Sequence, residues 1–323
     1  MKAIRFSKTG GPEVLALEDI ELAPPGPGQV RVHHTVIGVN FIDTYQRSGL
    51  YPVALPSGLG LEAAGMVEAL GSDVRTLKIG DRVAYCSGPL GAYAEANNVA
   101  ADRVVKLPSS ITDEAAAASL LKGMTAQYLL KRTHPLQRGE TILFHAAAGG
   151  VGLIACQWAK HLGATVIGTV GSESKIALAK TNGCDHVLNT REDGWSKKLR
   201  ELTGGKGVPV VYDSIGKDTW ASSLDCLAIR GLMVSFGNAS GAVPAVEPGI
   251  LSAKGSLYLT RPTLAHYTRD AKELQATADD LFEVVGSGAV KIAVHQRFKL
   301  AEARQAHEAL HSRDTTGATV LIP

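Results

Sequence analysis

Cysteine is scarce in this 323-residue chain: Cys86, Cys156, Cys184 and Cys226 are its four, and no two of them make a C-x-x-C pair. That spacing excludes a disulfide-stapled scaffold and a cysteine-rich zinc lobe, and it fits thiols kept reduced in a cytoplasm. The ten histidines show no H-E-x-x-H or other metal spacing, so no metal is expected. No G-x-S-x-G elbow supports a hydrolase. Long blocks of like charge are missing too, and a net charge of +2 with a pI near 8.3 provides no global attraction to nucleic acid or an anionic membrane. No apolar run approaches the roughly 20 residues of a membrane span, and the opening MKAIRFSKTGG has no apolar signal core. There is no internal repeat and no low-complexity tract. What remains, at 45% hydrophobic and 20% charged, is a soluble cytoplasmic protein long enough for two domains.

From residue 1 to about 122 the chain reads as short β-like runs cut by Gly and Pro, with Val30, Val32 and Val36 on alternate positions as a half-buried strand requires. Residues 113–131, acidic at the start and basic at the end, predict a helix. From about 140 to 260 strand-like and helix-like segments alternate, the pattern of a doubly wound parallel sheet. Within it TWASSLDCLAIRG (219–231) is expected as helix and GSLYLT (255–260) as an edge strand. An unpaired edge of that kind invites a second copy of the chain, so a homodimer is expected.

The most informative segment is GETILFHAAAGGVGLIACQWAK, residues 139–160. A buried strand leads into a tight turn and then a helix, with Ala147, Gly149 and Gly152 in the three places of a G-x-G-x-x-G pattern. Gly149 lets backbone approach a pyrophosphate, and Gly152 lets the helix lie close to the strand. Gly150 and Val151 then open a helix whose unpaired amides meet the phosphate charge. NAD-binding units usually carry an acid about 20 residues later, yet no Asp or Glu lies between Gly152 and Ser172. The expected slot is Gly171 or Ser172. Ser172 and Lys175 suit a 2′-phosphate, which favours NADPH; the competing reading has Glu173 on the ribose and Lys175 merely solvated.

The run Gly139, Glu140, Leu143, Ala147, Ala148, Gly149, Gly150, Gly152, Gln157 and Lys160 resembles the signature of the quinone oxidoreductase or zeta-crystallin family of medium-chain dehydrogenases/reductases. The segment NFIDTYQRSGLYP matches that family at Asn40, Asp43, Arg47, Gly49 and Tyr51. The resemblance covers essentially the whole chain. It implies an α/β protein in which a doubly wound Rossmann NADPH-binding domain, 124–260, is inserted into a GroES-like β-rich catalytic domain built from 1–123 and 261–323.

The resemblance also implies roles. Ser172, Lys175 and Arg191 fall to the 2′-phosphate, with Thr190 where the family often carries a Tyr. Phe236, Gly237 and Asn238 in FGNASG resemble the segment beside the nicotinamide, although a plain glycine turn reads the same way. Asn40, Phe41, Ile42 and Asp43 would face the cofactor, and Arg313 would reach it. Zinc-dependent relatives carry a ligand Cys in the segment that here reads GVNFID and a His where this chain reads GLE. Asn40 and Leu61 stand in those places, and neither can replace a thiolate or an imidazole.

Without a Lewis acid the substrate must accept hydride readily, and a small-molecule quinone does. Asn40, Tyr45 and Tyr51 are the expected catalytic donors or stacking groups, and Lys122 either joins them or caps its helix. Asp43 and Arg47, four apart, are expected to form a local ion pair. Two rival functions stand beside quinone reduction: reduction of α,β-unsaturated carbonyls, and a nucleotide-responsive RNA-binding or structural role.

Overall fold

The chain opens with β1 (Lys2–Phe6), β2 (Ala16–Asp19) and the long β3 (Gln29–Val39), in which Val30, Val32, His34 and Val36 all turn inward. The helix α1 (Phe41–Ser48) follows, then β4 (Ser57–Gly58), β5 (Glu62–Leu70), β6 (Arg82–Tyr85), β7 (Ala96–Ala100), β8 (Val105–Lys106) and α2 (Asp113–Tyr128). This is a computed structural model, and it describes residues 1–313 and 315–323. Contacts divide the chain into two units: Met1–Met124 with Thr268–Gly286 and Ile292–Pro323, and Thr125–Tyr267 with Ser287–Lys291.

In the second unit strand and helix alternate through β9 (Thr141–Phe144), α3 (Gly150–His161), β10 (Thr165–Val170), α4 (Ile176–Thr181), β11 (His186–Asn189) and α5 (Trp195–Leu202). They continue with β12 (Val208–Asp213), α6 (Trp220–Cys226), β13 (Leu227–Ser235), α7 (Gly249–Ala253), β14 (Tyr258–Thr260) and α8 (Leu264–Tyr267). The six strands form one parallel sheet in the order β11-β10-β9-β12-β13-β14. This is the doubly wound order, with its switch point between β9 and β12, where ligands bind at the carboxyl ends of the strands.

The first unit is completed by α9 (Ala271–Gly286), β15 (Val294–Lys299), α10 (Ala303–Ser312) and β16 (Ala318–Ile322). The order β15-β16-β3-β5-β6-β8 makes a sheet in which β3 also pairs with β7, and β16 runs antiparallel to β3. Ile37, Leu59, Tyr85 and Tyr93 are among its fully buried core. Arg261–Tyr267 belongs to the second unit, where Tyr267 stacks on Tyr128 with ring centroids 4.5 Å apart.

Two expectations are corrected. The helix expected over 219–231 ends at Cys226, because Leu227 pairs with Val208 in the sheet and Arg230 adopts a left-handed φ of 60° that no α-helix can continue through. The edge strand begins at Tyr258 rather than Gly255, since Gly255 and Ser256 have φ of 112° and 54°.

Candidate functional site

In the second unit the turn after β9 is drawn tight by bonds from Ala147 N to Thr169 O (2.8 Å) and from Gly149 N to Ala146 O (2.9 Å). A Cβ on Gly152 would stand 2.2 Å from Ala146 O and 2.7 Å from Ala147 Cα. Only glycine therefore lets α3 start against this loop. The amides of Gly150, Val151 and Gly152 belong to the first turn and have no acceptor within the helix, so an anion is the natural partner there.

At the neighbouring strand ends Val170 of β10 lies in register with Asn189 of β11. Thr190 N donates to Val170 O (2.9 Å), and Arg191 N to Asn189 Oδ1 (3.1 Å). Gly171, Ser172, Lys175, Thr190 and Arg191 are thus brought to one corner of the sheet. A Cβ on Gly171 would meet nothing within 4 Å, so this corner has open space beside it. Across the switch point Phe236 N donates to Asp213 O (2.8 Å), and the Phe236 ring lies 5.8 Å from that of Phe144. Gly237 cannot carry a side chain, because its Cβ would lie 2.4 Å from Ser214 O. Arg261 binds the carbonyls of Ser235 (2.9 Å) and Gly237 (3.1 Å), fixing the Phe236–Asn238 segment.

Below these ends lies a buried network. His145 reaches Thr169 Oγ1 (2.8 Å) and Ser223 Oγ (2.9 Å), and Ser223 and Thr219 both donate to Asp213 Oδ2 (2.8 and 2.7 Å). The other Asp213 oxygen accepts from Ile215 N (2.8 Å) and Gly216 N (3.0 Å), so this carboxylate shapes the loop after β12.

In the first unit Asn40 caps α1 and its backbone N–H donates to Asp43 Oδ2 (2.8 Å). Tyr45 and Tyr51 are half-buried and meet edge to face with centroids 5.3 Å apart, while Phe41 lies 6.5 Å from Tyr45. The Asn40 carboxamide donates to Glu62 Oε2 (2.8 Å). Lys122 Nζ reaches the same oxygen at 3.2 Å, and Leu121 N donates to Oε1 (2.7 Å). Asn40, Glu62 and Lys122 are all buried.

The ion pair expected between Asp43 and Arg47 is not what forms. Asp43 instead accepts from Tyr93 Oη (2.8 Å), whereas Arg47 donates to Gly10 O (3.2 Å) and lies 3.1 Å from His307 Nδ1. A guanidinium only donates, so His307 Nδ1 is the acceptor and Nε2 carries the hydrogen, 3.1 Å from Tyr93 Oη. The bonds run one way, from Arg47 through His307 and Tyr93 to Asp43. Burial raises Asp43 to a pKa of about 7, and burial beside Arg47 lowers His307 to about 3. Arg313 is the left-handed C-cap of α10, with φ of 62°.

An alcohol dehydrogenase GroES-like domain matches residues 26–109, and a zinc-binding dehydrogenase domain matches 150–283. The quinone oxidoreductase of Pseudomonas aeruginosa is 58% identical over 323 residues, covering 100% of this chain and 99% of that protein. The chain belongs to the quinone oxidoreductase family. A crystal structure of Escherichia coli quinone oxidoreductase complexed with NADPH matches with a TM-score of 0.99 at 53% identity, covering 100% of both chains. A 2-haloacrylate reductase from a Burkholderia species is 46% identical, over 98% of this chain and 97% of its own.

In this member of the quinone oxidoreductase family Asn40 stands immediately before α1 and Leu61 immediately before β5. Among the described residues no three or more His, Cys, Asp or Glu side chains come together as a metal site. Reading the sequence did not single out Glu62, Tyr93, His307 or Arg261. Glu62 was within reach, since it directly follows Leu61; the others are remote in sequence from the groups they bind.

Proposed function

We propose that this protein reduces quinones with NADPH and without zinc, the second unit binding the cofactor and the first serving the acceptor. The end-to-end match to quinone oxidoreductases, one of them in complex with NADPH, carries this reading. The first-turn amides of Gly150, Val151 and Gly152 hold the pyrophosphate, with Ala147 and Gly149 forming the turn. Gly171 leaves room for the ribose, while Ser172, Lys175 and Arg191 bind the 2′-phosphate and Thr190 borders it. Phe236, Gly237 and Asn238 border the nicotinamide. Asn40, Phe41, Ile42 and Arg313 contribute to binding the cofactor. Asp43, fully buried, contributes by holding the Asn40 backbone.

Bound NADPH supplies a hydride. An acceptor oxygen that gains negative charge is stabilised by hydrogen bonds from the Asn40 carboxamide and Lys122 Nζ, held as fixed donors in a water-poor setting with the lysine charge balanced by Glu62. Tyr45 and Tyr51 offer a flat surface and phenolic hydrogens to the acceptor ring. Zinc is not needed for this chemistry, because a quinone is already electrophilic.

The 2-haloacrylate reductase relative supports a second reading, reduction of an activated C=C bond by the same apparatus. Free buried cysteines support residence in a cytoplasm. The exposed edge strand β14 supports a homodimer.

Initial rates of NADPH and NADH oxidation with a small para-quinone, chelator present, test the main reading. Quinone-dependent turnover that prefers NADPH by at least about tenfold and ignores chelator is expected. Preference for NADH would refute the roles of Ser172 and Lys175, and turnover on enones alone would favour the second reading.

A further inference from the structure

Glu62 stands at the junction of three elements. It begins β5, its Oε2 accepts from both Asn40 Nδ2 at 2.8 Å and Lys122 Nζ at 3.2 Å, and its Oε1 is held by Leu121 N at 2.7 Å. The carboxylate also lies directly against β3: a Cβ on Gly38 would be 2.2 Å from Glu62 Oε2 and 2.3 Å from Ala117 O. Glycine at 38 is what makes room for it. With no exposure to solvent, Glu62 has its charge answered by the neighbouring ammonium rather than by water.

Two consequences follow from acceptor and donor chemistry. A carboxylate oxygen only accepts, so the Asn40 amide must turn its NH2 toward Glu62, and its second N–H is thereby aimed as well. The Lys122 charge is also cancelled inside the protein. The other ionisable groups under the influence of Glu62 are Asp43 on α1, Cys86 just after β6, and Tyr93. Burial raises the Cys86 thiol and the Tyr93 phenol far above their ordinary values, which leaves both neutral and unable to add charge.

We propose that Glu62 is the positioning residue of the acceptor site and sets its charge preference, orienting Asn40 and neutralising Lys122 so that neutral carbonyl acceptors are favoured over carboxylates. This rests on the reading that Asn40 and Lys122 meet the acceptor. A neutral quinone finds aimed donors beside a balanced ion pair, whereas an acrylate anion brings a negative charge close to Glu62, whose partner Lys122 is already engaged.

The test compares the full-length wild type with Glu62→Gln, Lys122→Gln and the double variant. It measures kcat for a neutral para-quinone, the inhibition constant of 2-chloroacrylate against that quinone, and the NADPH Kd by fluorescence. In Glu62→Gln the quinone kcat is expected to fall about tenfold to a hundredfold. NADPH affinity should stay within about twofold, and the carboxylate should bind at least about fivefold tighter, because Lys122 is released from its partner. Lys122→Gln should shift carboxylate binding the opposite way, and the double variant should return it to near wild type. A merely structural Glu62 would weaken quinone, carboxylate and NADPH together, and that result overturns the proposal. Should Glu62→Gln not fold, carboxylate binding unchanged in Lys122→Gln overturns it equally. Absence of any NADPH turnover in the wild type removes the functional reading beneath it, whereas normal turnover with an unmoved inhibition constant rejects Glu62 alone.

Discussion

Asp43 shows how one side chain can leave a mark on the whole chain's response to pH. Its Oδ2 accepts from Asn40 N and Tyr93 Oη, while its buried Oδ1 has no hydrogen-bond partner among the described residues, which makes Oδ1 the oxygen that takes up a proton. With a folded pKa raised from 3.8 to about 7, the folded chain keeps a proton between those values that the unfolded chain has lost. Asp43 therefore contributes stability at low pH that declines as pH rises from about 4 to about 7. His307 and His34, lowered from 6.5 to about 3 and about 4, act in the opposite sense and withdraw stability as pH falls below 6.5. Asp43→Asn removes only the first contribution, and an amide can still accept from Asn40 and Tyr93. Thermal melting should then show the variant gaining on the wild type between pH 5 and pH 8, by a few degrees, roughly the size such a displacement implies. A pH-independent gap between the two would show that Asp43 does not titrate in this range.

At the scale of elements, the cofactor-side strands and helices were legible because each announces itself locally. The expected doubly wound order needs only alternating apolar strands and amphipathic helices, and Thr165–Val170 forms β10 as its apolar run suggests. Leu227–Arg230 misled because their apolar spacing continues that of α6, and only the pairing of Leu227 with Val208 turns them into strand. The buried bonds of the first unit were illegible for a different reason: Tyr93 and His307 are 214 residues apart, and Arg47 and His307 are 260 apart. No local spacing encodes such partners. Where a local rule does act, it is strict, as at the start of α3. Gly152→Ala would drive a methyl into the backbone at Ala146 and Ala147, and overpacking of this kind costs about 1–3 kcal/mol. The variant should melt lower and bind NADPH at least about tenfold more weakly by fluorescence titration. Gly171→Ala is the control, since its added methyl meets nothing within 4 Å and its melting temperature should match the wild type. Equal stability of the two variants would mean that α3 can back away from the loop at little cost.

For the molecule as a whole, the second unit leaves one long-range feature unanswered within a single chain. Among the described residues β14 ends the six-stranded sheet and pairs only with β13. Tyr258 is 62% exposed on it and Ile229, beside the β13–β14 connection, is 80% exposed. An open edge flanked by large apolar side chains is a site that natural sheets cover or charge, and a second copy meeting it about a two-fold axis would bury both residues and extend the sheet across two chains. Light scattering at micromolar concentration should therefore give twice the 33.9 kDa chain mass. Replacing both side chains with Asp places like charges against each other across that axis and should yield the single-chain mass, with the melting of the isolated fold changed little because neither side chain is buried in it. If the wild type scatters as one chain, the edge is covered by nothing of its own kind. If the double variant stays paired, the two copies meet through some other surface and β14 is simply a solvated edge.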